Sequence, residues 1–177
     1  GLDANGGTDW NTFGGIIQCT DAIFKNNWRS VQFMAYTNKN SAGNPINDKS
    51  FFKKCNFSID NDMLNGSHLY AHISQWATRG IAVNGCNFSN TQTAADADRG
   101  TGILTLDTRM TVQDHCNSII YPCAPAYQVH TTFTGLRYGM HVTGGGNGNA
   151  VTSVSGATFT GNVQNGIYAG STDNLTV

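Results

Sequence analysis

A chain of 177 residues with 10 Lys and Arg against 11 acidic residues, net −1 at pH 7, is long enough for one packed core. Its charge is too evenly spread to mark nucleic acid or an anionic lipid surface as a partner. Every acidic residue is Asp, so the Glu/Lys pairs that stabilise helices are excluded, and 21 Gly with only 12% charged residues describe turns and short strands. No apolar run approaches the roughly 20 residues that span a bilayer, so no membrane span is expected. Residues 1–7 lack the basic start and apolar stretch of a signal peptide. The chain begins without Met and closes on the strand-like run Asn174-Leu175-Thr176-Val177, which reads as a piece of something longer.

In chain order, the first recurring element is Ala22-Ile23-Phe24-Lys25-Asn26: a small residue, a spacer, a phenylalanine and a polar bend. Ser30-Val31-Gln32-Phe33 follows as an alternating strand. A polar stretch at residues 38–49 leads to Cys55-Asn56-Phe57-Ser58, and another at 61–68 leads past Gly80-Ile81-Ala82-Val83 to Cys86-Asn87-Phe88-Ser89-Asn90. After a third stretch at 91–99 come Gly102-Ile103-Leu104-Thr105-Leu106 and a fourth stretch at 114–128. The chain then gives Thr131-Thr132-Phe133-Thr134-Gly135, Gly139-Met140-His141-Val142, Ala157-Thr158-Phe159-Thr160-Gly161 and Gly166-Ile167-Tyr168-Ala169.

Two units therefore repeat: small-x-Phe-polar, and Gly or Ser followed by apolar-x-apolar. Side chains alternate in an extended chain, so each small residue and its Phe share the inward face. One Phe strand, one bend and one Gly-led strand make a coil on this reading. The Phe spacings of 33, 31, 45 and 26 residues place insertions at 38–49, 61–68, 91–99 and 114–128. Such a coil cannot bury its inward residues alone, but coils stacked about 4.8 Å apart pair every strand with those above and below. The expected fold is all-β: a right-handed parallel β-helix, a single-stranded solenoid of the pectin-lyase type, with about five to six coils. Phe24, Phe57, Phe88, Phe133 and Phe159 are expected to form one aromatic ladder, with Ala22, Cys55, Cys86, Thr131 and Ala157 on a neighbouring track. An antiparallel β-sandwich also has many short strands, but does not predict the small-x-Phe unit.

Three stretches carry a resemblance. They are residues 10–27, with Gly14-Gly15-Ile16-Ile17 before Ala22-Ile23-Phe24; Ala71-His72-Ile73-Ser74-Gln75-Trp76 through Arg79-Gly80-Ile81 to Gly85-Cys86-Asn87-Phe88; and Arg99-Gly100-Thr101-Gly102-Ile103 with Phe133-Thr134-Gly135-Leu136-Arg137-Tyr138-Gly139-Met140. The chain resembles the β-helix repeat proteins exported by the type IX secretion system. That resemblance implies a large secreted or cell-surface passenger, with the secretion machinery as a partner that reads a separate sorting domain.

Candidate chemistry is sparse. Five Cys without Cys-x-x-Cys pairs argue against a zinc ribbon, and Cys116 and Cys123 flank a Pro122 loop, placed for one disulfide or for two free thiols in a reducing compartment. Glycoside hydrolysis needs two carboxyl groups about one bond, and the best candidates are Asp96, Asp98 and Asp107, with Arg109 on the same strand face as Asp107. A solvated salt-bridge patch is the commoner meaning of such a cluster. Asp60-Asn61-Asp62 and Asp96-Ala97-Asp98 could offer oxygens to Ca²⁺ but read better as turn residues. His68 and His72, four apart, read as hydrogen-bonded histidines rather than metal ligands, and His115, His130 and His141 have no partner spacing. Gly144 to Asn149 reads as a flexible turn rather than a phosphate loop. Neither a metal nor a cofactor is expected. Trp10, Trp28, Tyr36, Tyr70, Trp76, Tyr121, Tyr127 and Tyr138 could stack on sugars along a groove. The expected role is a non-enzymatic surface or secreted module for adhesion or display, with surface glycans as partners. The alternative is a carbohydrate-active enzyme or glycan-binding module.

Overall fold

The computed structural model describes residues 16–37, 50–64, 67–119, 122–144, 151–172 and 175–177. In chain order the strands are β1 (Gln18–Thr20), β2 (Ile23–Lys25), β3 (Arg29–Phe33), β4 (Tyr36–Thr37), β5 (Ser50–Lys53), β6 (Asn56–Ile59), β7 (Ala71–Trp76), β8 (Thr78–Asn84), β9 (Asn87–Asn90) and β10 (Thr101–Leu106). They continue with β11 (Arg109–Gln113), β12 (His115–Cys116), β13 (Gln128–Val129), β14 (Thr132–Thr134), β15 (Tyr138–Thr143), β16 (Thr152–Ser155), β17 (Thr158–Thr160), β18 (Asn165–Gly170) and β19 (Leu175–Thr176). Two single-turn 3-10 helices, Asp96–Asp98 and Pro125–Tyr127, lie between them.

The protein is all-β, with three parallel sheets. The first is ordered β1-β5-β8-β11-β16-β19, with β4 also on β8; the second is β2-β6-β9-β14-β17; the third is β18-β15-β10-β7-β3. The chain visits them in one cyclic order, and neighbours within a sheet come from successive circuits. This stacking is compatible with a β-helix-like solenoid. Among the described residues only β12 and β13 pair antiparallel.

Many corners are turned by a single residue with positive φ. Asp21, Lys54 and Gly85 lead from first sheet to second, Asn26 and Gly135 from second to third, and Ala77 and Asp107 from third to first. The corner N–H groups stay in the ladder: Asp21 donates to Lys53, Lys54 to Asn84 and Gly85 to Gln113, each at 2.9–3.0 Å on the next circuit. Backbone polar groups are thus satisfied through the bends as well as the strands.

Parallel, in-register pairing sets equal residues over one another. Phe24, Phe57, Phe88, Phe133 and Phe159 are partners in sequence. Their rings stack with centroids 4.6–4.8 Å apart and planes within 6°. The three middle rings are fully buried; Phe24 and Phe159, at the ends of the described stack, are partly buried. Two residues before each Phe stands a small side chain. Among these, Cys86 Sγ accepts from the Cys55 N–H at 3.4 Å and Thr131 Oγ1 from the Cys86 N–H at 3.3 Å, while Ala22 and Ala157 pack beside the core. Val31, Ile73, Ile103, Met140 and Ile167 align in the third sheet, and Cys19, Phe52, Val83, Val112 and Val154 in the first. The core is these three columns meeting.

In the third sheet one position before that column, Gly102 and Gly139 face the phenylalanines. A Cβ at Gly102 would come within 2.7 Å of the Phe133 ring, so glycine is the residue that fits. In β7 the same position holds His72 instead, between Ala71 and Ile73, which pair with Thr101 and Ile103.

Two expectations need correction. A circuit has three strands, the upper end of the two or three expected, so the Phe strand and Gly-led strand alone do not complete a coil: the first sheet adds one between each third-sheet strand and the next Phe strand. Gly80-Ile81-Ala82-Val83 belongs to β8 in the first sheet, whereas the third-sheet strand after Phe57 is Ala71–Trp76, with no leading glycine. Apolar-x-apolar alternation marks any half-buried strand and does not say which sheet it joins.

Of the insertions, residues 38–49 lie outside the described residues, between β4 and β5, which pair with successive halves of β8. Residues 61–68 and 91–99 both leave the stack at the corner from second to third sheet. The insertion between β11 and β14 carries the β12–β13 pair, and a disulfide joins Cys116 to Cys123. The base of the insertion is pinned by Asp114, which accepts from His130 Nδ1 at 2.7 Å and from the Thr131 N–H at 3.2 Å. The β12–β13 pair lies over Gly85, where a Cβ would meet His115 Cβ at 2.7 Å.

Candidate ligand-binding face

The acidic candidates do not converge. Asp96 and Asp98 sit on the 3-10 turn before β10, and Asp107 turns the corner after it. Six extended residues, about 20 Å, separate the two ends, too far to flank one glycosidic bond. Asp107 is also not on a strand face with Arg109: it precedes β11, while Arg109 begins it. Asp98 lies 3.8 Å from His68 Nε2, and Asp96 3.9 Å from Arg99 Nε.

His68 precedes β7 rather than sharing a strand face with His72. His72 is fully buried, its ring 6.0 Å from Phe57 and 6.1 Å from Phe88, with Ser89 O 3.2 Å from Nε2 and Ser30 Oγ 3.4 Å from Nδ1. Burial pushes its pKa down to about 4. Asp60 is committed to a turn: it accepts from Asn26 Nδ2 at 2.8 Å and from the Asp62 N–H at 3.0 Å, with Lys25 Nζ at 2.8 Å. The Lys25 ammonium, ahead of these hydrogen bonds, holds its carboxyl down at about 2. Among the described residues no three His, Cys, Asp or Glu side chains gather as for a metal ion. Trp10, Tyr121 and residues 145–149 lie outside the described residues, and the Tyr36 side chain is likewise not described. Tyr127 is exposed on the insertion between β11 and β14, away from the sheets.

What the fold does assemble is the outer face of the third sheet. Gln32, Ser74, Leu104, His141 and Tyr168 are partners in register, as are Trp76, Leu106 and Thr143. Trp28, Met34, Tyr70, Trp76, Leu106 and Tyr168 are all exposed there, Trp76 to 50% and Trp28 to 57%. The Arg29 guanidinium lies 4.9 Å from the Trp28 ring centroid and 4.6 Å from that of Tyr70, and the two rings are 5.2 Å apart. Three strands along, Arg137 lies 5.1 Å from the ring of Tyr138, which adjoins His141 at 5.2 Å and Tyr168 at 5.6 Å. Burial, and then the Arg137 charge, lower the His141 pKa.

Two shallow depressions occupy this face. One, of about 300 Å³, is lined by Arg29, Met34, Tyr70, Trp76 and Leu106 among others; the second, of about 410 Å³, by Tyr70, Arg137, Tyr138 and His141. Tyr70 and Leu104 line both, so the two adjoin. Among the described residues no Asp lines either one. Aromatic faces beside guanidinium groups can stack on the apolar faces of sugars and pair with anionic substituents.

The sequence alone singles out Trp28, Tyr70, Trp76 and Tyr138; it does not join Arg29, Leu106, Arg137, His141 and Tyr168 to them. For His141 and Tyr168 the signal lies in the spacer residues of the third-sheet units, which form an outward column. Compared with known proteins, the chain matches no family model, no curated protein and no solved structure.

Proposed function

We propose that this chain is a stretch of a right-handed parallel β-helix, a passenger of the type IX cargo kind that works outside the cell as a rigid adhesive or display module rather than as an enzyme. The observation that carries the reading is the unbroken phenylalanine stack through five parallel strands. Such a stack makes a stiff rod whose corners can carry excursions without disturbing the core. The Cys116–Cys123 disulfide fits an oxidising compartment.

The test is to incubate the chain with a panel of neutral and acidic polysaccharides and assay released sugar, then repeat with Asp107→Asn. Neither protein should release sugar. Product that disappears in the Asp107→Asn variant overturns the reading in favour of a carbohydrate-active enzyme. Protease accessibility of the tagged protein on intact producing cells tests the location, and a tag found only inside the cell counts against export.

A second reading, a glycan-binding module, is favoured by one observation: the exposed aromatic and arginine face of the third sheet.

A further inference from the structure

We propose that the outer face of the third sheet binds an extended anionic polysaccharide, with Tyr70 and Trp76 stacking on sugar rings and Arg29 and Arg137 receiving its carboxylate or sulfate groups. This rests on the adhesive reading above and names the partner and the surface.

Four observations combine. Both depressions are open and shallow, and they adjoin at Tyr70 and Leu104, which line both, a shape that suits a polymer lying across a sheet better than an enclosed small molecule. Together they carry two guanidinium groups and, among the described residues, no Asp. Among the described residues neither Arg29 nor Arg137 forms an ion pair with a carboxylate, and Arg29 Nε is buried without a hydrogen-bond partner. Finally, each guanidinium is held against an aromatic ring, so its position is set before a ligand arrives.

Register gives the ligand a length. Arg29 pairs with Ala71, Ala71 with Thr101 and Thr101 with Tyr138, the neighbour of Arg137. Three strand spacings, about 14 Å, therefore separate the two arginine positions along the stacking direction. That exceeds one sugar ring, so affinity should rise with chain length until both arginines are engaged.

The experiment is affinity electrophoresis and calorimetry of the 177-residue chain with hyaluronan, dextran sulfate and neutral dextran. Hyaluronan offers carboxylates only, dextran sulfate offers sulfates, and dextran neither. The expected result is binding to at least one anionic polymer, weakened by salt, with none to dextran. Arg29→Gln, Arg137→Gln and Trp76→Ala should each weaken it about tenfold. Phe51→Ala on the outer face of the first sheet should leave it unchanged. Circular dichroism verifies folding, and Arg137→Lys, which keeps the charge, should recover part of the loss. Absence of binding, equal binding to dextran, or binding indifferent to the third-sheet substitutions each overturns this inference. Binding indifferent to those substitutions leaves the adhesive reading standing, whereas sugar release lost in Asp107→Asn removes that reading itself.

Discussion

His72 Nε2 lies 3.2 Å from the carbonyl oxygen of Ser89, at a fully buried position where the following strands carry glycine. The imidazole fills the space beside Phe57 and Phe88 that those glycines leave to the phenylalanine rings. Its neutral form suits that place, and burial lowers its pKa from 6.5 to about 4. The unfolded chain then binds a proton that the folded chain refuses. Stability is full above about pH 6.5 and falls as pH drops toward 4, by roughly 3 kcal/mol over that window. Half-exposed His115 and His141, also lowered, act in the same direction. Asp60, held at about 2, loses its contribution only below the ordinary carboxylate range. Urea midpoints at pH 7 and 5 should separate clearly in the native chain and much less in His72→Gln. Equal separations would refute the assignment.

Position along the phenylalanine stack should grade the cost of truncation. Phe88→Ala removes a ring stacked on both sides and fully buried, and should cost about 3–5 kcal/mol. Phe159→Ala removes a partly buried ring with one described stacking partner and should cost clearly less. Denaturant titration of the two variants checks the order; equal losses would contradict it.

The thiols should sort by depth. Cys55 and Cys86 are buried, and burial raises the Cys86 thiol to about 12, leaving almost no thiolate at neutral pH. Cys19 is also raised by burial, though it is only partly covered. Iodoacetamide on the native chain, read by mass spectrometry, should leave Cys55 and Cys86 unmodified until urea is added. Mild reductant should expose Cys116 and Cys123 while those two stay protected. Early labelling of Cys86 would mean that the stack opens locally.

Backbone sign can be tested at two sites. Ala77 turns its corner at φ 47°, in the left-handed region that disfavours a Cβ, so Ala77→Gly should stabilise by about 0.5–1 kcal/mol. Gly102→Ala should destabilise by about 1–3 kcal/mol, because the added carbon meets both the Phe133 ring and the Gly139 backbone. Thermal melts give both signs, and a reversal at either site would show the local geometry to be wrong.

The all-β, parallel character was legible because the small-x-Phe unit repeats whatever the length of the excursion beside it. Third-sheet strands were legible where a glycine preceded the alternation; Ala71–Trp76 was legible as a strand from its alternation, but with His72 in place of the glycine it did not stand out as one of the Gly-led series. The first sheet was not recognised as a separate column: Gly80-Ile81-Ala82-Val83 was legible as a strand but not as a member of another sheet, and the inward positions Cys19, Phe52, Val83, Val112 and Val154 carry no marker comparable to the small-x-Phe unit. The candidate face was only half visible. Its aromatics stand out as residues, but Tyr70 and Arg137 come together only through strand pairing, which spans excursions of unequal length. The spread of Asp98 and Asp107 to opposite ends of β10 was equally hidden, since nearness in sequence implies little about nearness when the chain between is fully extended.

The excursions at 61–68 and 91–99 depart from and return to one shared edge of the stack, between neighbours already locked by ladder bonds. A foreign peptide of another length could be spliced there with its two ends held at fixed separation. Copies on successive circuits would then stand in a row at about 4.8 Å intervals, a ruler-like display whose pitch is dictated by backbone geometry alone.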